Sequence, residues 1–287
     1  MDKKKIRFGV VGIGGMGANH ASKLFKNEIK NAVLAGVCDA DVSHKYRFEN
    51  IPFYQNVENF LKQDLIDAVI IATPHKSHIE IAKLALQNDI NVIVEKPLAI
   101  TSKQCREFIK FSENYDSKFT VMLNQRTNPV YLKIKNLIQN GSLGSIHRYQ
   151  WTITNWFRTN YYYKASKWRA KWESEGGGVL INQSIHQLDL CQWLFGMPDS
   201  LYTDLGLGRF HAIEVEDEVT SIFKYSNGLK GIFITTTGEA PGVNRLEIAS
   251  EKGLITIQDN EIIWDKIDSS TDFINNSKTL FDMPKKE

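Results

Sequence analysis

The chain has 287 residues, 42% apolar and 24% charged, the balance of a globular protein and not of a disordered, collagen-like or disulfide-scaffold chain. At about 150 residues per domain, this length predicts two domains. Thirty-five Lys+Arg against 33 Asp+Glu leave a formal charge of +2, without the overall basic excess that nucleic acid or an anionic membrane attracts.

The N-terminus, Met1-Asp2-Lys3-Lys4-Lys5-Ile6, enters a polar-interrupted run, and no window approaches the roughly 18 apolar residues of a membrane span. A cytoplasmic location is expected, with no membrane and no nucleic-acid partner. Cys38, Cys105 and Cys191 lie far apart without a CxxC and read as reduced packing residues.

Up to residue 123, short apolar runs at 6–11, 33–38, 68–72, 92–94 and 119–123 alternate with helix-like stretches such as that carrying Ile79, Ala82 and Leu86. Runs without strict alternation suit parallel strands buried on both faces. An α/β doubly wound parallel sheet over residues 1–123 is the economical reading.

Residues 124–287 have a different texture. A helix is predicted over 129–140, stopped by Gly141, followed by a Tyr/Trp-rich run and alternating segments. Ser226-Asn227-Gly228 between 221–225 and 230–234 is a strong hairpin signal, and further strands are predicted at 246–249, 254–258 and 262–264. The second domain is therefore read as α+β with a large, mostly antiparallel, open-faced sheet. Such a face calls for helices or a second subunit, so a homo-oligomer, dimer or tetramer, is expected. The tail, 265–287, has little apolar period and is predicted to be partly disordered.

Gly12-Ile13-Gly14-Gly15-Met16-Gly17 follows the first strand and opens a helix. Gly12 permits the tight turn, Gly14 lets backbone N–H groups approach a pyrophosphate, and Gly17 lets helix and strand pack closely. Asp39, at the end of the second run and about 20 residues beyond the last glycine, suits the two ribose hydroxyls of NAD and repels a 2′-phosphate. NAD is preferred over NADP, for which Lys45 or Arg47 would have to compensate.

Glu95-Lys96-Pro97 ends the 92–94 run, at the carboxyl edge where doubly wound sheets bind ligands. Gly176-Gly177-Gly178 then runs as a glycine hinge into a predicted helix. On it Asn182, His186 and Asp189, spaced by four and three, share a face beside an apolar stripe of Ile181, Ile185 and Leu188. An amide, an imidazole and a carboxylate beside a core stripe read as a pocket wall.

In these motifs and their order the sequence resembles the Gfo/Idh/MocA family, the glucose–fructose oxidoreductase and inositol-dehydrogenase-like enzymes. The match includes the strand–GxGxxG start, Ala72-Thr73-Pro74-His75-Lys76-Ser77-His78, Glu95-Lys96-Pro97 and the 176–189 stretch, spanning residues 6 to about 264. The resemblance implies a Rossmann domain and a substrate domain with the active site between them, Lys96 and His186 as the catalytic pair, and an unusual Lys96-Pro97 bond. It further implies cofactor contacts from Thr73, Pro74, His78, Glu95, Lys96 and Gln125, and substrate contacts from Lys96, Arg126, Asn182 and His186. Many members carry aspartate where this chain has Asn182, which removes a charge that would otherwise raise the basicity of His186. Members also usually extend past the point where this chain stops, so the resemblance implies a cut sequence or missing closing elements of the second sheet.

The reaction this implies is oxidation of a secondary hydroxyl of a sugar, sugar derivative or cyclitol, with hydride leaving carbon as a base takes the hydroxyl proton. Imidazole, near pKa 6.5, suits that base, with Lys96 hydrogen-bonding the substrate oxygen. The alternative assignment exchanges their roles, since desolvation and positive charge depress a lysine from about 10.4. Two other readings stay open: a catalytically silent sensor of NAD or a sugar, and a lyase or glycosidase-type enzyme that uses NAD only in transient redox.

Trp151, Trp156, Phe157, Tyr161, Tyr162, Tyr163, Trp168 and Trp172 crowd a segment that also carries Arg158, Lys167, Arg169 and Lys171. Aromatic faces with cationic donors suit a sugar, and because the segment runs straight into the glycine triplet, Trp168 and Arg169 are the candidate substrate contacts. Interdomain packing is the competing explanation. No metal site is assigned: His75-x-x-His78 reads as a loop and helix cap, and His211, Glu214, Glu216, Asp217 and Glu218 as solvated charges at a strand edge.

Overall fold

The computed structural model describes residues 5–287, so most of the N-terminal run discussed above lies outside the described residues. The chain clusters into two compact units. The first ends at Leu123 and takes in Glu173–Gly176; the second holds Asn124–Trp172 and Gly177–Glu287.

In the first unit β1 (Ile6–Val11), β2 (Ala32–Cys38), β3 (Phe53–Tyr54), β4 (Ala68–Ile71), β5 (Asn91–Val94) and β6 (Phe119–Val121) form a six-stranded sheet. Their order is β3-β2-β1-β4-β5-β6 and every pair is parallel. Helices α1 (Gly15–Phe25), α2 (Val57–Leu61), α3 (His78–Gln87) and α4 (Ser102–Ser112) complete the unit. Strand alternation divides its apolar residues between two clusters. Val10 and Ile70 pack with Ala21 and Leu24 of α1, while Val11, Val69 and Ile71 pack with Phe60, Ala82 and Phe108. Both faces of the sheet are thereby buried, as its near-continuous apolar strands require.

The fully buried Phe60 ring explains two glycines inside strands. A Cβ on Gly9 would lie 2.6 Å from that ring and one on Gly36 2.7 Å. Strand glycines here mark the seat of a large side chain.

The second unit contains α5 (Pro129–Gln139), α6 (Asn160–Lys164), α7 (Ile185–Phe195) and α8 (Ser270–Asn276). Its strands are β7 (Ile146–Ile153), β8 (Ser200–Leu207), β9 (Glu216–Lys224), β10 (Lys230–Thr236), β11 (Asn244–Ser250), β12 (Gly253–Gln258) and β13 (Glu261–Lys266). They order as β13-β12-β11-β7-β10-β9-β8, antiparallel except where β7 runs beside β10. The expected hairpin is present, with Lys224 opposite Lys230. Tyr131 and Ile134 of α5 and Leu190, Cys191 and Leu194 of α7 join Tyr149, Trp151, Ile153, Phe233 and Ile248 in one core. Tyr149 stacks on Phe195 with ring centroids 4.1 Å apart.

Within the tail, residues 270–276 form α8, capped by the Ser269 hydroxyl accepting from the Asp272 N–H, because Ser269 and Asp272 supply an N-cap signal that outweighs the weak apolar period. Two expectations change. Asn182 does not lie on the helix that carries His186. Gly178–Gln183 forms an α-type turn, with Asn182 and Gln183 N–H groups donating to Gly178 and Val179 carbonyls, and α7 starts afresh after Ser184. Glu216 and Asp217 are not solvated: they are 5% and 0% exposed, because both accept several backbone N–H groups. No helix of the described residues is long and apolar enough to cross a membrane.

Phe60→Ala should cost about 3–5 kcal/mol of stability, the range for a buried aromatic truncated to leave a cavity. The midpoint of a denaturant titration measures it.

Candidate active site

The strand order reverses direction between β1 and β4, and the residues just beyond the carboxyl ends of β1, β2, β4 and β5 are Gly12, Asp39, Thr73 and Lys96. In doubly wound sheets that edge is the ligand crevice. Gly12 has φ +82°, and a Cβ there would meet the Ala72 carbonyl at 2.8 Å. At Gly17 a Cβ would stand 1.7 Å from the Gly12 oxygen, so only glycine lets α1 begin against the end of β1. A Cβ at Gly14 or Gly15 would meet nothing within 4 Å, and the first turn of α1 carries no acidic residue. That open, glycine-walled space at the positive end of an 11-residue helix fits a pyrophosphate.

Two residues of the fingerprint contribute differently. Met16 is 55% exposed, whereas the Ile13 side chain is buried in the core. The Ile13 N–H donates to Asp39 Oδ2 at 2.7 Å, and the Arg47 guanidinium donates to its carbonyl at 2.5 Å. Ile13 thus ties the loop to Asp39 and Arg47. The other Asp39 oxygen accepts from the Asp41 N–H at 2.9 Å, and His44 Nδ1 lies 3.1 Å from Oδ2. This carboxylate at the end of β2, with Arg47 spent on a carbonyl, fits the unphosphorylated ribose of NAD.

Thr73 and Pro74 follow β4. The Thr73 hydroxyl accepts from Ser77 at 2.8 Å. His78, expected to contact the cofactor, is 0% exposed, with Nδ1 2.8 Å from the Pro97 carbonyl and Nε2 2.7 Å from that of Thr73. Both ring nitrogens face backbone carbonyls, to one of which the neutral ring donates, so the ring sits between the loop after β4 and the Lys96-Pro97 turn. Burial pushes the His78 imidazole below its ordinary value, against the pull of the two carbonyls. His75 sits 5.8 Å from His78, ring to ring, and its Nδ1 lies 2.9 Å from the Glu175 carbonyl.

Lys96 is half-buried and Pro97 buried, joined by a cis bond. The Glu95 carboxylate is engaged on both oxygens: Oε1 lies 2.6 Å from His20 Nε2, and Oε2 accepts the Lys96 N–H at 3.2 Å. Burial works to raise the Glu95 carboxyl, but the hydrogen bond and charge of His20 and the Lys96 N–H outweigh it and hold it below its ordinary 4.5. Sequence reasoning missed His20; its signal was a histidine one helical turn beyond Gly17.

In the second unit His186 is half-buried in the first turn of α7, and Asn182 lies in the preceding turn. Glu216, also missed, anchors that segment, one Oε1 accepting the Gly178 N–H at 2.9 Å and the Leu180 N–H at 3.1 Å. Arg126, expected to hold substrate, forms a two-pronged pair with Asp189, at 2.8 and 2.6 Å, which fixes the short helical turn containing Gln125 against α7. Of the aromatic segment, Trp151 is fully buried core, while Trp156, Phe157 and Trp172 are exposed. The Arg169 guanidinium lies over Tyr162 at 4.3 Å and over Trp168 at 5.2 Å.

The first unit is thus a dinucleotide-binding sheet with a lysine on its ligand edge. Residues 6–123 match the GFO/IDH/MocA family described as an oxidoreductase family with an NAD-binding Rossmann fold, and residues 131–256 match its C-terminal domain. The chain belongs to that family. It is 29% identical over 204 residues to an oxidoreductase of Formosa agariphila, covering 69% of this chain and 63% of that protein. It is 26% identical over 233 residues to inositol 2-dehydrogenase of Corynebacterium glutamicum, covering 79% and 61%. The chain therefore matches about three fifths of the length of these relatives. Among solved structures, the WlbA dehydrogenase of Bordetella pertussis in complex with NADH and UDP-GlcNAcA is 28% identical with a TM-score of 0.84, over 94% of this chain and 86% of that one.

Because Glu95 is held below 4.5 in the folded protein, its contribution is complete above that pH and lost as pH falls through the folded value. Glu95→Gln should flatten the stability–pH curve on the acid side of 4.5 while lowering stability at neutral pH; thermal melts from pH 7 to pH 3 measure both.

Proposed function

We propose that this protein is an NAD-dependent dehydrogenase that oxidises a secondary hydroxyl of a sugar, sugar derivative or cyclitol, or runs the reverse reduction. The observation that carries the reading is Lys96 beyond β5, on the sheet edge that also holds the Gly12–Gly17 cradle and Asp39. Related proteins support the substrate class: one is an inositol 2-dehydrogenase and another a dehydrogenase bound to NADH and UDP-GlcNAcA.

NAD, when bound, supplies the acceptor for the hydride that leaves the carbinol carbon. His186 accepts the hydroxyl proton as the carbonyl forms, and Lys96 donates a hydrogen bond to that oxygen and stabilises its developing charge. Glu95, His20 and His78 act on Lys96 through the backbone they hold. Asn182, Arg126, Gln125, Trp168 and Arg169 remain proposed ligand contacts, and the Asp189 pair means that Arg126 can offer substrate only what its bidentate bond leaves. The free thiols, of which burial pushes Cys38 up to about 12, suit a reducing compartment, and the proposal places the enzyme in the cytoplasm.

The sheet of the second unit supports a homo-oligomer. Tyr202 and Ile222, register partners on the open face, are 67% and 40% exposed, and exposed apolar surface of this kind marks an interface. Sedimentation should give a dimer or larger assembly; a stable monomer at micromolar concentration would refute this part.

Reduced-nicotinamide absorbance with NAD and a panel of hexoses, sugar acids and inositols tests the activity. Lys96→Met and His186→Ala should each lower kcat by about 10²–10⁴-fold, with NADH binding by His186→Ala retained. Asp39→Ala should weaken NADH binding by roughly tenfold or more through the lost charge-assisted ribose bonds. A wild-type protein that binds no NADH would sink the reading, whereas turnover without net reduced cofactor would replace it with transient redox chemistry.

A further inference from the structure

Between Phe157 and Trp172 the chain carries Arg158, Lys164, Lys167, Arg169 and Lys171 and no Asp or Glu. Five cations without an acid, in a protein of formal charge +2, concentrate positive charge in one segment. Lys164, Lys167, Arg169 and Lys171 line a cavity of about 750 Å³ within the second unit. That lies inside the roughly 300–1,000 Å³ range of small-molecule sites. Glu214 is the single acidic residue on its wall, and one of its oxygens accepts the Trp172 N–H at 2.7 Å.

None of these five cations has an ion pair among the described residues. Two of them are nevertheless held together: the Arg158 guanidinium lies over the Tyr162 ring at 4.8 Å and that of Arg169 over the same ring at 4.3 Å. The Nε atoms of both arginines are buried without a hydrogen-bond partner. Between Arg169 and Lys171, buried Ala170 is held at φ +56°, in the left-handed region that costs a non-glycine residue energy and that clusters at binding sites. Four cations against a single carboxylate, on a strained backbone, are an arrangement that receives a multiply charged anion.

We propose that this cavity binds the diphosphate of a nucleotide-activated sugar, so that the substrate is recognised by its phosphates as well as by its sugar ring. The proposal rests on the dehydrogenase reading and narrows its substrate class. The Arg169 guanidinium offers paired N–H donors to phosphate oxygens, and the three lysines on the same wall add point charge around it. A neutral sugar or cyclitol would leave these charges uncompensated, and a single carboxylate would neutralise one of them.

Calorimetric titration of UDP and of inorganic pyrophosphate into the full chain, with NADH saturating to occupy the dinucleotide site, tests the assignment. Both should bind, more weakly as salt is raised. Arg169→Gln and the double variant Lys164→Gln/Lys167→Gln should each weaken binding about tenfold or more, with NADH affinity and melting temperature unchanged in the lysine variant. No heat from UDP, or equal binding by wild type and the lysine variant, overturns the proposal. So does binding of glucose 6-phosphate or glucuronate where UDP fails, since that assigns the cavity to a monophosphate or a carboxylate. If the wild type binds no NADH, the dehydrogenase reading fails by itself and UDP titrated alone still decides the cavity.

Discussion

Gly17 approaches the Gly12 carbonyl so closely that a Cβ would lie 1.7 Å from its oxygen, and the first unit is arranged around that contact. With no side chain in between, α1 starts directly where β1 ends, so the unpaired N–H groups of its first turn face the carboxyl edge of the sheet. The chain leaves β1 toward β2 on one side and continues through β4 and β5 on the other. The edge between them therefore collects residues distant in sequence: Asp39 from beyond β2, Thr73 from beyond β4, Lys96 from beyond β5. A dinucleotide needs a place without side chains for its phosphates and a carboxylate for its ribose, and this topology supplies both at one edge.

Buried polar groups then fix what the sheet only brings near. His78 carries no exposed surface, yet both of its nitrogens are within 2.8 Å of a carbonyl, one after β4 and one at Pro97. Glu95 is held between His20 of α1 and the Lys96 N–H. Losing either partner would leave a buried polar group unsatisfied, at about 1–3 kcal/mol. The lysine is set by two independent locks on its backbone, one reaching from α3 and one from α1. Glu216 does comparable work in the second unit, where its carboxylate closes the Gly178–Leu180 turn before α7.

How far the sequence could be read follows from what each element displays. Strands buried on both faces show unbroken apolar runs, so β1, β2, β4 and β5 are legible, while two-residue β3 is too short to show any period. Central strand β7 alternates Tyr149, Trp151 and Ile153 inward against Arg148, Gln150 and Thr152. Its aromatic residues suit ligand stacking as well as a core, which masks the period-two signal. Strand β8 exposes its apolar residues and so carries no burial pattern to find. At the site, the glycines and Asp39 are legible because backbone geometry or charge leaves no substitute, whereas a lysine at a strand end reads as a solvated charge and Lys96 stands out only through the family resemblance of Glu95-Lys96-Pro97. The polar supports are not: His20, His78 and Glu216 differ from ordinary surface residues only by what lies against them. Glu216 and Asp217 read as solvated because an acidic run usually is, and they are buried because backbone N–H groups from the 178–180 and 209–211 segments converge on them.

Net charge misleads in the same way as composition. A formal +2 argues against a polyanion spread over the surface, since that needs a broad field. It says nothing about a small multiply charged ligand, which needs a few cations in one place. Arg158 and Arg169 meet around Tyr162 despite their mutual repulsion, and a cation–π contact returns only about 0.5–1 kcal/mol at an exposed site. Counter-charge from solution ions can offset that repulsion in the unliganded protein, but it is diffuse and exchangeable. A ligand carrying its own charges in fixed geometry gains what the free protein lacks, and that difference between bound and unbound states is where selectivity among ligands would arise.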